Sequence, residues 1–396
     1  MVSEKLFSRD YVLGFFAQFA YSSVFCLLIP TIPIYLLRLG SSEVEIGVLI
    51  GALSASALIF RPLVGKALLR IPEKKFMIAG CGLYVLSSVA YLFAPPFWPM
   101  LVVRVFHGIG SAFFSTAAFT LVANITPESH RGQLLSYYFV AINIAFTLAP
   151  YFGMLIINHL NFTALFLVCT ALSLCALIIT LKLSKSEITP IEGASGKNQP
   201  LFSREALPPS IMAFLVNIIW GAACAFFPLY ALTRGVTNPG LFFGVLALIH
   251  VLVRSLGGRI FDLYRREKVI FPSLFGYIFA MAILAFSETL PMFIVAAVIW
   301  GLGNAFLYPT LVAYALDEAG TARATAMGTF TAIADLGAGL GPVIMGIILQ
   351  WTGYRTMFLT LVLTGICNLL YFCSLMEWKK GTGLLPFLAR PSRKQT

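Results

Sequence analysis

The sequence predicts an all-α membrane protein of twelve transmembrane helices arranged as two homologous six-helix halves. Three observations carry that prediction. Hydrophobic residues make up 59% of the chain, charged residues 11%, and the mean hydropathy is +0.90, far from the roughly 45–50% apolar and 25% charged of soluble domains. The apolar residues fall in continuous runs of about 18–25, long enough to cross a hydrocarbon layer of about 30 Å as helices. One half of the chain also repeats the other in register.

The first run covers 11–37 and stops at Gly40-Ser41-Ser42; the second covers 45–65 and ends in a basic loop. Runs 76–94 and 99–122 are separated by Pro95-Pro96, and runs 134–157 and 163–181 by a short polar stretch around Asn158 and Asn161. In the second half the runs are 208–232, 240–258, 269–286, 291–313, 326–349 and 355–377, divided by Gly, Pro or charged residues. Continuous apolar runs exclude a membrane β-barrel, whose strands alternate polar and apolar residues over about ten positions.

The formal net charge of +11 is explained by orientation rather than by nucleic acid. Roughly 23 of the Lys and Arg residues lie in segments on one side of the twelve-span layout, about three (Arg38, Arg234, Arg355) on the other, and Arg104 within a span. Both termini and the central linker are therefore expected in the cytoplasm of a cell inner membrane, with the basic groups also meeting membrane lipids. The first span carries no small-residue cleavage site and is expected to stay. The seven Cys fall inside spans without metal-ligand spacing, so neither disulfides nor a metal is expected.

The repeat is specific. Residues 46–65 align without gaps to 239–258, matching Gly47 with Gly240, Gly51 with Gly244, Arg61 with Arg254 and Gly65 with Gly258, a shift of 193. The same shift carries His107–Gly110 onto Trp300–Gly303, and a shift of 192 carries Ala145–Pro150 onto Gly337–Pro342 and Cys175 onto Cys367. Agreement of Gly, Pro and Arg positions across four spans means duplication. The halves are 1–181 and 208–378, joined by a polar linker over 182–207 and followed by a basic tail, 379–396.

Three motifs add a resemblance. The stretch Gly258–Lys268 resembles the loop motif after the second helix of each half in the major facilitator transporters, Gly-x-x-x-Asp-x-x-Gly-Arg-Arg/Lys. Arg104 through Gly110 resembles their fourth-helix motif Arg-x-x-x-Gly-x-Gly. Gly337 through Pro342 resembles the Gly-x-x-x-Gly-Pro motif of their twelve-span drug and metabolite proton antiporters, with a weaker echo at Ala145, Ala149 and Pro150. In the first-half loop, Leu69 stands where that family usually has Asp and Pro72 where it has Gly, and Asn124 replaces a common Asp. The second half keeps both acids, Asp262 and Asp317. The resemblance implies two six-helix halves with a solute site between them near the midplane, and proton-coupled efflux of a small organic compound.

The candidate site residues follow from depth and chemistry. Asp335 is the carboxylate deep in a span, while Arg104 and His107 lie three residues apart on one face of the fourth helix. Ionised groups at such depth are costly and face a partner or a wet cavity, which makes these three the expected proton-coupling set; a structural pair of Asp335 with Asn143 or Arg104 is the plainer reading. Gln18, Asn143, Asn217, Trp220, Trp300, Asn304 and Tyr308 are candidates for solute contacts. Arg61, its repeat mate Arg254 with Arg259 and Asp262 at a cytoplasmic membrane edge, and Gly337, Gly341 and Pro342 are candidates for gating. Glycines four apart let helices approach closely and Pro342 removes a backbone hydrogen bond; simple tight packing explains the glycines equally well.

The chain shows neither a phosphate-binding Gly-x-x-x-x-Gly-Lys-Ser/Thr loop nor a catalytic Ser/His/Asp arrangement. No cofactor is expected, and the chain is expected to act as a monomer on a small-molecule solute and protons. The alternatives are an importer or facilitator of a sugar, organic acid or other metabolite, an intramembrane enzyme, and a solute sensor.

Overall fold

The computed structural model describes residues 8–126, 131–184, 203–257, 266–319 and 323–379. Twelve helices run through them: α1 Arg9–Arg38, α2 Glu43–Ala67, α3 Glu73–Ala90, α4 Trp98–Ile125, α5 Arg131–His159, α6 Phe162–Leu181, α7 Leu207–Thr233, α8 Gly240–Gly257, α9 Arg266–Phe286, α10 Leu290–Glu318, α11 Arg323–Thr352 and α12 Tyr354–Lys379. Every predicted run has its helix. Ten are long and apolar enough to cross a membrane; α3 and α8 are the shortest, at 18 residues each.

Local chemistry sets the ends. Ser42 and Glu45 form a reciprocal capping box at the start of α2, satisfying two otherwise orphaned amides. Asn161 accepts from the Ala164 amide at the start of α6. Gly40 (φ 84°) follows α1 and Gly235 (φ 77°) follows α7, a left-handed conformation in which a side chain would be strained. The outward surface is apolar, with Phe93, Leu86 and Phe279 among its exposed residues, as acyl chains require.

Packing follows the duplication. Within the first half α4 lies close on α2 and α3: a Cβ at Gly108 would strike the Leu53 carbonyl, and one at Gly110 would sit 2.9 Å from Leu83 Cβ and 3.1 Å from the Gly80 carbonyl. The shift of 193 reproduces this in the second half, where Gly301 meets the Leu246 carbonyl (3.2 Å) and Gly303 the Ser273 carbonyl (2.9 Å). The glycines of the fourth-helix motif are therefore packing residues, because helices in lipid associate by close contact and not by hydrophobic burial.

One polar pair differs between the halves in an instructive way. Arg266 Nε donates to Asp317 at 2.5 Å, joining the start of α9 to the end of α10. The shift of 193 maps these residues onto Glu73 and Asn124, where Asn124 Nδ2 donates to Glu73 Oε1 at 2.6 Å. Glu73 is buried. The acid has changed sides, so an amide at 124 keeps a hydrogen bond where an Asp would set two carboxylates against each other.

The halves meet through α2 against α11 and α5 against α8, two contacts exchanged by the repeat. They are tight at the end remote from the chain termini. Gly47 lies under the Pro342 carbonyl and its mate Gly240 under that of Pro150; Gly51 faces Gly339, and Gly244 faces Thr147. At that same end Asn158 Nδ2 donates to the Thr237 carbonyl (2.7 Å), and the Val44 amide donates to Gln350 Oε1 (3.4 Å). These bonds are also mates, since Asn158 maps onto Gln350 and Val44 onto Thr237. Towards the termini the close approach ends: a Cβ at Gly65 or Gly328 meets nothing within 4 Å.

Candidate functional site

A cavity of about 430 Å³ lies between the halves, walled by α1, α2, α4, α5, α7 and α11, within the range of roughly 300–1,000 Å³ typical of small-molecule sites. Most of its wall is apolar, with Ile29, Ile50, Leu53 and Phe119 among the lining side chains. Phe146 of α5 and Trp220 of α7 place their rings 5.5 Å apart across the two halves. Its polar wall residues include Gln18, Asn217, Arg61, Asp335, Arg104 and His107.

Asp335 on α11 pairs with Arg61 on α2. Sequence reasoning offered Arg104 or Asn143 as its partner, and the structure corrects this. Arg104 bonds elsewhere, and Asn143 is the repeat mate of Asp335, lying on α5. The pair forms because α2 and α11 are packed together at the Gly51–Gly339 approach, and Arg61 lies further along α2 with a side chain long enough to reach the carboxylate. It thus ties one half to the other on the cavity wall.

Arg104 and His107 make a second cluster. Arg104 is buried; its Nε donates to the Leu49 carbonyl at 2.9 Å and its NH1 to the Tyr91 hydroxyl at 3.4 Å. The same phenol stands 2.8 Å from His107 Nδ1. His107 is 1% exposed, and its ring meets Tyr84 edge-on with centroids 4.2 Å apart. Tyr91 was not singled out from the sequence, where it is one of 15 tyrosines; only its place beside α4 distinguishes it.

Gln18 is held at both ends, accepting from Tyr138 (3.2 Å) and donating to Ser22 (2.8 Å). Asn217 donates to the Ala213 carbonyl (2.8 Å). The remaining candidates for solute contact are placed off the cavity wall. Trp300 is fully buried behind Trp220, ring centroids 5.4 Å apart; Asn304 accepts from Tyr277 (2.6 Å); Tyr308 packs edge-on against Phe330; and Asn143 lies half-buried on α5. In lipid both the packed and the cavity-facing sides of a helix carry aromatic and small residues, so sequence spacing does not separate them.

Among the gating candidates, Arg61 holds Asp335. Gly337 and Gly341 pack on the Phe214 and Ile218 carbonyls of α7, inside the second half, whereas the Pro342 carbonyl faces Gly47 across the halves. Arg259 and Asp262 lie outside the described residues, as does the side chain of Arg254. The Asn158 and Gln350 bonds were missed; their sequence signal is a polar residue at matching ends of α5 and α11 under the shift of 192.

A family model described as Major Facilitator Superfamily matches residues 13–321 and 211–389. The chain is 27% identical over 383 residues to the Staphylopine export protein of Staphylococcus aureus, covering 92% of this chain and 93% of that one. It is 21% identical over 337 residues to the Quinolone resistance protein NorA of the same species, covering 81% and 84%. Among solved structures, the nucleoside transporter NupG superposes with a TM-score of 0.76 at 15% identity, covering 93% of this chain and 100% of that chain.

Proposed function

This chain belongs to the Major Facilitator Superfamily of membrane transporters, and on that premise we propose that it exports a small organic compound in exchange for protons. The cavity opens alternately to the two faces of a bacterial inner membrane. Relatives named for export and for quinolone resistance support the direction. The basic asymmetry supports cytoplasmic termini, and on that orientation the tight end of the bundle is external and the cavity here faces inward. Both halves supply the wall of one cavity, so a single chain holds a complete site.

The observation that carries the coupling is the ion pair of Arg61 with Asp335, which joins the halves on the cavity wall. In the inward-facing state Asp335 is ionised and held by Arg61. When the external end parts, the carboxylate meets outside water and takes a proton, which releases Arg61; return to the inward-facing state delivers the proton. Arg104 and His107 stand on the same wall and set the polarity in which the exchange occurs.

The test is pH-gradient-driven flux beside solute counterflow in the same proteoliposomes, using a solute found by thermal-shift screening. Asp335→Asn is fixed neutral, so proton-driven accumulation is expected to vanish while counterflow survives; Asp335→Glu retains partial coupling. An Asp335→Asn protein that concentrates solute at the normal rate ends the claim.

A further inference from the structure

We propose that Arg104 and His107 form a binding site for the carboxylate of an amphipathic organic monoanion, so that the cavity selects acids over neutral or cationic solutes. This rests on the reading of the chain as a transporter of small organic solutes and names the class it takes.

The first ground is an unbalanced charge. Arg61 has Asp335, but among the described residues Arg104 has no acidic partner, although it is 6% exposed and lies within a span. Of five guanidinium N–H donors, one goes to Leu49 and one to Tyr91; the other three have no partner among the described residues. A guanidinium at such depth is costly unless an anion meets it.

The second ground is the unpartnered ring nitrogen of His107. The Tyr91 hydroxyl, which accepts from Arg104, stands 2.8 Å from His107 Nδ1, and with the phenol proton on that contact the imidazole is the Nε2–H tautomer. His107 Nε2 is buried with no hydrogen-bond partner among the described residues. His107 and Arg104 both line the cavity, one helical turn apart. Arg104 therefore offers the cavity N–H donors and one positive charge, with the unpartnered His107 nitrogen on the same helix face. A planar fork of donors fits a carboxylate, and one charge balances one anion. The apolar remainder of the cavity, with Phe146 and Trp220 in ring contact, suits the body of the solute.

The test uses the purified full chain, thermal shift and counterflow. The probes are arylalkanoates, N-acyl aromatic amino acids and aliphatic monocarboxylates, each paired with its own primary amide, together with a set of lipophilic cations. Stabilising and counterflowing compounds are expected among the acids, with the amides at least about 10-fold weaker. Arg104→Gln should weaken the acids by about 10- to 100-fold and abolish the preference, while Arg104→Lys keeps part of it and His107→Phe reduces it. If Arg104→Gln does not fold, the contrast between acid and amide in the unsubstituted protein still decides. Amides or cations that bind and exchange as well as acids, or an acid preference intact in Arg104→Gln, overturn the proposal while leaving solute transport standing. Neither stabilisation nor counterflow by any member, whatever its charge, would overturn this proposal and count against transport of small organic solutes.

Discussion

Replacing Gly51 by alanine probes the tight end of the bundle directly. A Cβ at this position would stand 2.5 Å from the Gly339 carbonyl oxygen and 3.0 Å from Val343 Cγ2, whereas ordinary contact begins at 3.4 Å. The oxygen belongs to the backbone of α11 and cannot swing aside, so α2 and α11 must part by roughly 0.9 Å. Overpacking of this size costs about 1–3 kcal/mol, set against a gain of up to about 1 kcal/mol from a better helix former. The clash wins, and because it exists only while this end is closed, it favours the opposite facing state, with a population shift of up to about 100-fold. Hydrogen–deuterium exchange reads the outcome: amides at 43–50 and 343–352 should exchange faster than in the unsubstituted protein. Gly65→Ala lies on the same helix, meets nothing within 4 Å, and should leave them unchanged. Identical exchange at the closed end in both variants would refute the reasoning, even if Gly51→Ala lowered the melting temperature.

Asn124→Asp should lower the melting temperature, with a cost of about 1.5–3 kcal/mol from losing the bond to Glu73, and adding Glu73→Arg should restore it by building in the first half the pair seen at Arg266 and Asp317; no recovery in the double variant would contradict the equivalence of the two sites. Reporter tags near residues 195 and 390 should both lie in the cytoplasm and one near 236 outside, and opposite faces for the first two would dismiss the twelve-span layout. Asp262→Asn should change the balance of facing states more than Leu69→Asn, since only the former removes a charge; equal accessibility of introduced cysteines in the two variants would remove Asp262 from the gate.

The chain's own order of residues determined the spans, the duplication and the place of each ionisable group along its span. Lipid solvent makes a spanning helix readable as an apolar run, and the shifts of 193 and 192 were visible because Gly, Pro and Arg recur at fixed positions inside those runs. Depth alone marked Asp335, Arg104 and His107. What faces what was decided only by the tertiary structure. Asp335 and Arg61 are 274 positions apart, and they meet because α11 of one half lies on α2 of the other. Trp220 reaches the cavity while Trp300 is sealed behind it, although both are tryptophans within apolar spans. The physical reason is that a helix surrounded by lipid and other helices is apolar on nearly every side, so the amphipathic periodicity that orients a helix in a water-soluble protein is weak. Orientation is set instead by where glycines permit backbones to touch, and that requires both partners in place.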